Sequence, residues 1–303
     1  MRTPGMDTAQ TYRAADGTTL GYRIARAARS PAPLLVMIHG VASNLTRWSE
    51  FVEHTKLRGN WDLLRLDLRG HGDSFTRSGL QIASWIDDLG ALLDHEQRSS
   101  AVFAGHSLGA QVAVQFAARH PSRARALILI DPVFRQALRG GLRLAAACAP
   151  FVRTVAAAVR GLNAIGIRRR HIPQRDLHAL DERARQQWLS ANRSREMVAH
   201  YGSLLEDLRY FPLASYLADV LAMIEPLPAP ESLAMPTLAL LSSGITYTEP
   251  RPTRELLSRL PHGRIVTVDA YHWPLTERPD EVRAAIESWC VELAAQPSSR
   301  TTR

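Results

Sequence analysis

The chain contains few cysteines and almost no lysine. Its two cysteines, Cys148 and Cys290, lie far apart and form neither the close spacing of a zinc site nor that of a redox dithiol. We therefore expect no metal site and no disulfide. Lys56 is the one lysine, so arginine supplies nearly all of a basic excess that gives a net charge of +8.

Long apolar runs are also missing. No stretch of about 18 uncharged apolar residues occurs, and the residues from Met1 to Gln10 lack the apolar segment of an export signal. These absences predict a soluble, cytoplasmic protein. A chain of 303 residues is long enough for one large α/β domain with an insertion.

The arginines are unevenly distributed. From Pro132 to Arg175 there are nine arginines and no Asp or Glu, and apolar residues separate the arginines at helical spacings. A basic amphipathic helix can contact an anionic membrane surface weakly or guide an acidic substrate. From the sequence alone we favour a solvated face instead. No aromatic interleaving and no nucleic-acid motif is present, so we expect no nucleic-acid partner.

Apolar strand patterns alternate with helical patterns along most of the chain. The strand patterns cover two runs within 12–24, then 34–38, 62–68, 101–104, 126–130, 237–241 and 264–268. The helical patterns between them include 82–96, 108–119 and 279–294. This alternation predicts an α/β fold with a doubly wound, mostly parallel sheet.

One long interval interrupts the alternation. Residues 132–234 contain helical patterns, such as 176–191 and 196–208, and no convincing strand. We therefore predict a core formed by 1–131 and 235–295 and a helical insertion at 132–234. The tail at 296–303 is rich in Ser, Thr and Arg, and we predict that it is disordered.

The segment Gly-His-Ser-Leu-Gly at 105–109 follows an apolar strand pattern and precedes a run of small apolar residues. In a strand–turn–helix context this pattern is typical of a nucleophile elbow, which exposes the Ser107 hydroxyl. A Cβ at either glycine would collide with a neighbouring strand or helix. The start of the helix would place the amide of Leu108 where it can donate to a developing oxyanion.

A serine nucleophile needs a base within hydrogen-bond reach. His272 follows the last strand pattern, so we expect it at the same edge of the sheet as Ser107. Four segments in this order resemble the α/β-hydrolase superfamily: His39-Gly40, Asp-Leu-Arg-Gly-His-Gly-Asp-Ser at 67–74, the elbow at 105–109, and His272-Trp-Pro running to Pro279. The resemblance implies that Ser107 is the nucleophile, His272 the general base, Val41 the second oxyanion donor and the insertion a lid, with no cofactor.

The acid that should orient His272 is ambiguous. Members of the superfamily often carry an aspartate after the seventh strand, and the corresponding segment here, 241–250, contains none. Glu249 is one candidate. Asp131, at the end of the sixth strand, is the other, because some branches of the superfamily place the acid there. We favour Asp131, although an aspartate before a proline is also a common turn residue; a weakened or absent acid is the third possibility.

Other polar and aromatic residues near these segments are candidates for the pocket wall, namely His39, Gly40, His106, Trp48 and Trp273. Asp67 and His71 we interpret as structural residues of a shaped loop rather than as catalytic groups. The resemblance and the motifs together predict hydrolysis of a carboxylic ester, lactone or thioester of a small acyl substrate. A carbon–carbon hydrolase, or a ligand receptor or accessory protein with little turnover, remains an alternative.

Overall fold

An eight-stranded sheet forms the centre of the protein in the computed structural model, which describes residues 7–295. The strands are β1 (Asp7–Arg13), β2 (Thr19–Ala25), β3 (Leu34–Ile38), β4 (Asp62–Leu66), β5 (Ala101–His106), β6 (Ala124–Ile130), β7 (Thr237–Ser242) and β8 (Gly263–Val268). Their spatial order is β1-β2-β4-β3-β5-β6-β7-β8. β2 is antiparallel to both neighbours, and all other neighbouring pairs are parallel. The predicted mostly parallel sheet is confirmed.

Helices cover both faces of this sheet. They are α1 (Ser49–His54), α2 (Ile82–His95), α3 (Leu108–Arg119), α4 (Gly140–Ala147), α5 (Ala149–Ala164), α6 (Leu177–Ala184), α7 (Ser194–Tyr201), α8 (Leu204–Tyr210), α9 (Leu213–Met223), α10 (Pro250–Leu257), α11 (Pro274–Glu277) and α12 (Pro279–Ala295). α2 and α3 pack on one face, while α1 and α12 pack on the other. Because both faces are covered, β3 and β4 bury every residue; this explains why β3 is continuously apolar, while β4 buries Asp62 and Arg65 among its apolar residues.

Between β6 and β7, residues 131–236, all of them described, form six α-helices, three short 3-10 or π-helical turns and no strand. The predicted helix over 196–208 is interrupted, because the chain turns at Gly202 and Ser203 accepts a hydrogen bond from the Glu206 amide at the start of α8. Within the predicted helix over 176–191, α6 ends at Ala184, and a π-helical turn, Arg185–Leu189, follows it.

None of the helices described is, by itself, long and apolar enough to cross a membrane. Only α4 and α5 taken together have the length and apolar composition of such a segment, and they bend by 88° at the break between them. The predicted disordered tail, 296–303, lies outside the described residues.

Candidate active site

Ser107 occupies the turn between β5 and α3 with backbone angles of φ 53° and ψ −111°. A positive φ is uncommon for a residue with a side chain and indicates local strain. The amide of Ser107 donates to the carbonyl of Ile130 at 2.9 Å, which ties the turn to the adjacent strand β6. The sequence is therefore folded as the predicted elbow, with its serine at the carboxyl edge of the sheet.

The two glycines of the elbow make this turn possible. A Cβ on Gly105 would lie 2.3 Å from the backbone of Gly109, and a Cβ on Gly109 would lie 2.3 Å from the carbonyl oxygen of Ile38. Both distances are far below van der Waals contact, and the atoms approached belong to backbone that cannot move aside. Close packing of strand, turn and helix thus requires glycine at both positions, as the sequence predicted.

His272 lies in the loop that joins β8 to α11, and its Nε2 is 3.1 Å from the Ser107 Oγ. The ring is buried. Burial, with a smaller effect of the neighbouring His106, lowers the pKa of His272 well below its ordinary value. A neutral imidazole at hydrogen-bond distance from a serine hydroxyl is the arrangement that a general base requires.

Asp131 is the acidic residue nearest to the other ring nitrogen. Its Oδ2 lies 3.6 Å from His272 Nδ1, slightly longer than a hydrogen bond. The backbone amide of Ser242 donates to Asp131 Oδ1 at 2.7 Å, and the Ser242 hydroxyl donates to Oδ2. Burial raises the pKa of Asp131 to about 7, whereas the two bonds from Ser242 act in the opposite direction.

Glu249, the other candidate acid, lies away from the imidazole. Its side chain is half exposed and forms an ion pair with Arg139 at 3.4 Å, and its residue precedes α10. The resemblance to the superfamily suggested an acid after β7, but β7 ends with Ser242. This serine donates hydrogen bonds to the Asp131 carboxylate, which follows the neighbouring strand β6. Of the two candidates, the structure brings Asp131 to His272 and does not bring Glu249 there.

The two predicted oxyanion donors belong to the elbow and to the loop after β3. Leu108 is the first residue of α3, so no carbonyl of its own helix is available to accept from its amide. Val41 lines the same cavity as Ser107 and follows Gly40. The neighbouring amide of Ala42 is already used, because it donates to the Asp219 carboxylate of α9 at 3.1 Å.

His39 braces this loop from behind. Its Nε2 accepts a hydrogen bond from the Leu68 amide at 3.1 Å, so Nδ1 carries the proton and donates to the carbonyl of Gly40 at 2.9 Å. Burial and the nearby His71 lower the pKa of His39 well below its usual range, which is consistent with this neutral ring. His39 was predicted to line the pocket, and this is corrected: its ring is fully buried behind the loop.

A buried carboxylate fixes the loop that carries the base. Glu277 of α11 accepts hydrogen bonds from the amides of Tyr271, His272 and Trp273 at 3.0 to 3.3 Å. Burial raises the pKa of Glu277, and the three amides oppose this shift. Glu277 was not among the residues predicted from the sequence; its position five residues after His272 is the signal that could have pointed to it.

His106 holds the same loop from the elbow. Its Nε2 lies 2.8 Å from the carbonyl of His272, and since a carbonyl only accepts, this nitrogen carries the proton. Burial lowers the pKa of His106 to about 4. The base is therefore positioned through its backbone on two sides, by His106 and by Glu277.

A cavity of about 430 Å³ opens above Ser107 and His272. Gly40, His106 and Trp273 contribute to its wall, as predicted. Trp48 does not, and this prediction is corrected. Its ring is fully buried in the core beneath the sheet and packs edge-on against Phe51 of α1.

Helices of the insertion form the roof and sides of the cavity and are tied to the core by buried polar contacts. Arg47, which also lines the cavity, forms an ion pair with Asp181 of α6 and donates to the Thr276 hydroxyl at 2.8 Å. The Tyr201 hydroxyl donates to the same carboxylate at 2.7 Å. The two Arg47 contacts join residues 134 and 229 positions apart, so no local sequence pattern predicts them.

The loop after β4 has the structural role predicted for it. The carboxylate of Asp67 accepts hydrogen bonds from the amides of Leu45 and Asp73 at 2.7 and 2.8 Å. His71 lies 3.1 Å from the Asp219 carboxylate. Burial alone would lower the pKa of His71, but Asp219 outweighs that effect and raises it. Neither residue is among those lining the cavity.

A family model and several known proteins match this chain. A family model described as "Alpha/beta hydrolase family" matches residues 35–285. An uncharacterized protein of Mycobacterium tuberculosis strain H37Rv is 34% identical over 115 residues, which are 38% of this chain and 33% of that relative. The chain therefore matches only a third of that relative's length.

Two further comparisons cover nearly the whole chain. The sn-1-specific diacylglycerol lipase ABHD11 of Mus musculus is 24% identical over 261 residues, 85% of this chain and 80% of the relative. The crystal structure of the enol-lactonase from Burkholderia xenovorans LB400 superimposes with a TM-score of 0.67 at 23% identity, covering 95% of this chain and all of that one. At this identity the structural likeness concerns the fold.

Proposed function

The chain belongs to the alpha/beta hydrolase family, and we propose that it is a serine hydrolase that cleaves a carboxylic ester, lactone or thioester through an acyl-enzyme intermediate. The observation that carries this proposal is the contact of 3.1 Å between the Ser107 hydroxyl and the buried, neutral imidazole of His272, at the floor of the cavity. Asp131 would keep the imidazole oriented with its Nδ1 proton toward the carboxylate.

Each step then has a group to perform it. The Ser107 oxygen attacks the acyl carbon while its proton passes to His272 Nε2, and the amides of Leu108 and Val41 stabilise the oxyanion. Collapse of the tetrahedral intermediate breaks the bond to the leaving alcohol or thiol, which takes the proton from His272. Water, deprotonated by the same imidazole, attacks the acyl carbon next and releases the acid and the free serine.

The helices of the insertion would act as a lid over this chemistry. Leu142 of α4, together with Val220 and Met223 of α9, lines the cavity. These apolar side chains fit a small acyl group next to the serine, and they exclude water from the oxyanion. The names of the relatives support hydrolysis of such bonds, since one is a diacylglycerol lipase and another an enol-lactonase.

Turnover of a panel of aryl esters and lactones with acyl groups of graded length tests the proposal. We expect wild-type turnover with a preference for short to medium chains, and we expect Ser107→Ala to remove it. Ser84→Ala, on α2 away from the cavity, is the matched control and should retain wild-type rates. Ligand binding without turnover of any panel member would favour the alternative of a receptor or accessory protein.

A further inference from the structure

Ala42, in the loop after β3, has an unusual backbone conformation. Its φ is 47°, in the left-handed region that favours glycine. A residue with a Cβ keeps this conformation only where the surrounding structure holds it there. Because Ala42 directly follows Val41, the predicted second oxyanion donor, the contacts that hold Ala42 also bear on the oxyanion hole.

Two hydrogen bonds orient the peptide groups on either side of Val41. The His39 ring donates to the carbonyl of Gly40 at 2.9 Å. In a trans peptide the N–H points opposite to the C=O, so the Val41 amide is directed away from the His39 ring. The next amide, that of Ala42, donates to the Asp219 carboxylate at 3.1 Å. His39 therefore orients the first peptide group, and Asp219 orients the second.

The Val41 amide itself is unused. Within the described residues 7–295 it donates to no acceptor of the protein. Val41 lines the catalytic cavity, and a Cβ on the preceding Gly40 would lie 3.5 Å from the Ser107 Cβ. An unused amide beside the nucleophile has the position that an oxyanion donor needs.

Asp219 lies on α9, is completely buried and contacts a second core residue, His71. The Asp219 Oδ2 that accepts from Ala42 also lies 3.1 Å from His71 Nε2. His71 Nδ1 lies 3.3 Å from the carbonyl of Arg69, and because a carbonyl only accepts, this nitrogen carries a proton. Burial lowers the pKa of His71, but Asp219 more than offsets this effect and raises it. The two side chains therefore form a buried ion pair.

The helix that carries Asp219 also forms part of the cavity wall. Tyr216, Val220 and Met223 of α9 line the catalytic cavity. α9 belongs to the insertion, whereas Ala42 belongs to the core, so the Asp219 carboxylate links the two parts of the chain. One helix thus borders the space above the nucleophile and also holds the loop of the oxyanion donor.

We propose that Asp219 is a positioning residue through which the insertion completes the oxyanion hole. Its carboxylate, paired with the His71 imidazolium, keeps Ala42 in the left-handed conformation and thereby keeps the Val41 amide directed at the oxyanion. The core by itself supplies the nucleophile, the base and the Leu108 amide, whereas the Val41 amide is correctly placed only when α9 is docked. This inference rests on the proposed serine hydrolysis, because it concerns the oxyanion of that reaction.

Steady-state kinetics of Asp219 variants on one aryl ester test the proposal. In Asp219→Ala we expect kcat to fall by about 10- to 100-fold with KM within about twofold of wild type, because the donor acts on the transition state. Asp219→Asn retains a carbonyl oxygen that can accept from Ala42, so its kcat should lie between those of Asp219→Ala and wild type. Ala42→Gly in the Asp219→Ala background should recover part of kcat, because glycine adopts a positive φ without strain.

Two inhibitors separate a defect of the oxyanion hole from a general defect of the site. With a trifluoromethyl ketone, the Ser107 oxygen adds to the carbonyl carbon, the hydroxyl proton passes to His272, and the ketone oxygen becomes the oxyanion. An ether analogue of the ester has no carbonyl. In Asp219→Ala the inhibition constant of the ketone should rise by about 10- to 100-fold, whereas that of the ether should change by less than about twofold. Asp219→Asn should show the same order with a smaller rise, which keeps the test available if the alanine variant does not fold.

Asp62→Ala is the matched control. Asp62 is also a buried carboxylate, but it lies at the amino end of β4, where it accepts from the Ala27 amide at 2.8 Å and forms ion pairs with Arg26 and Arg98. Its loss should lower the midpoint of thermal unfolding yet leave kcat within about twofold of wild type, because this edge of the sheet is opposite the cavity.

The outcomes distinguish this inference from the proposed function. An unchanged kcat in Asp219→Ala, an equal fall in Asp62→Ala, or an equal rise of the two inhibition constants would overturn the role of Asp219 while leaving the hydrolase proposal intact. Absence of ester turnover in the wild-type protein would overturn both.

Discussion

The sheet edge around Ser107 and the segment from α5 to Arg170 use charged groups in opposite ways. At the sheet edge the carboxylates of Asp131 and Glu277 are buried, and backbone amides bond to both. On α5 and the turn after it, Arg160 and Arg168 are exposed. Because an unpaired charge is costly only when buried, the carboxylates of the first region need hydrogen-bonded partners, whereas the arginines of the second are solvated and need none.

The largest expected effect concerns the acid of the organised region. Asp131→Asn should lower kcat by about 10²- to 10⁴-fold, because His272 loses the anion that orients its ring and stabilises the imidazolium. Glu249→Gln should change kcat by less than about twofold, since its carboxylate faces Arg139 near the surface. Steady-state kinetics on one aryl ester makes this comparison. A large loss with Glu249→Gln and none with Asp131→Asn would reverse the assignment.

The buried Arg47–Asp181 pair gives the next effect, on stability. Arg47→Met leaves a buried carboxylate without its cation and should lower the free energy of unfolding by about 3–5 kcal/mol. Urea unfolding measures this quantity. Arg160→Met, at an exposed position of α5, is the control and should stay within about 0.5 kcal/mol of wild type. Similar losses in the free energy of unfolding for the two variants would contradict the expected difference between the buried site and the exposed α5 segment.

Substitution of Glu277 tests whether the loop that carries His272 must be anchored for catalysis. In Glu277→Gln only one side-chain oxygen can accept, so the three amides around His272 lose part of their anchor. We expect kcat to fall by about 10- to 100-fold with a smaller change in KM. Glu281→Gln, at an exposed position on α12, provides the control. An unchanged kcat would show that His106 positions the loop without help.

The smallest expected effect is on the pH profile of kcat/KM. His272 acts as a base only when unprotonated, and burial lowers its pKa well below 6.5. The imidazole therefore takes up a proton only at lower pH, and the acid limb of kcat/KM should have its midpoint below pH 6.5. A midpoint near 7 would instead assign control to Asp131, whose pKa burial raises to about 7.

The sequence predicted those features that depend on local pattern. Continuous apolar strands and the glycines of the elbow follow from close packing between neighbours, so 105–109 could be interpreted without a structure. The supporting partners of the site could not. Ser242 reaches Asp131 across 111 positions and Asp219 reaches Ala42 across 177, and such pairings depend on how the strands and the insertion are arranged.

Aromatic and imidazole side chains were the least predictable. Trp48 and His39 lie in segments that border the site, and a side chain there can turn toward the cavity or into the core. Both turned inward, and both are fully buried. Sequence pattern locates the backbone of such loops, but the direction of each side chain depends on packing with distant elements.

Reaction with a fluorophosphonate, followed by mass spectrometry of the digested protein, tests the central claim most directly. A nucleophile at Ser107 activated by His272 predicts stoichiometric labelling on the peptide that contains Ser107, and no labelling in Ser107→Ala. Absence of labelling in the wild-type protein, or a label on another residue that persists in Ser107→Ala, would contradict the account.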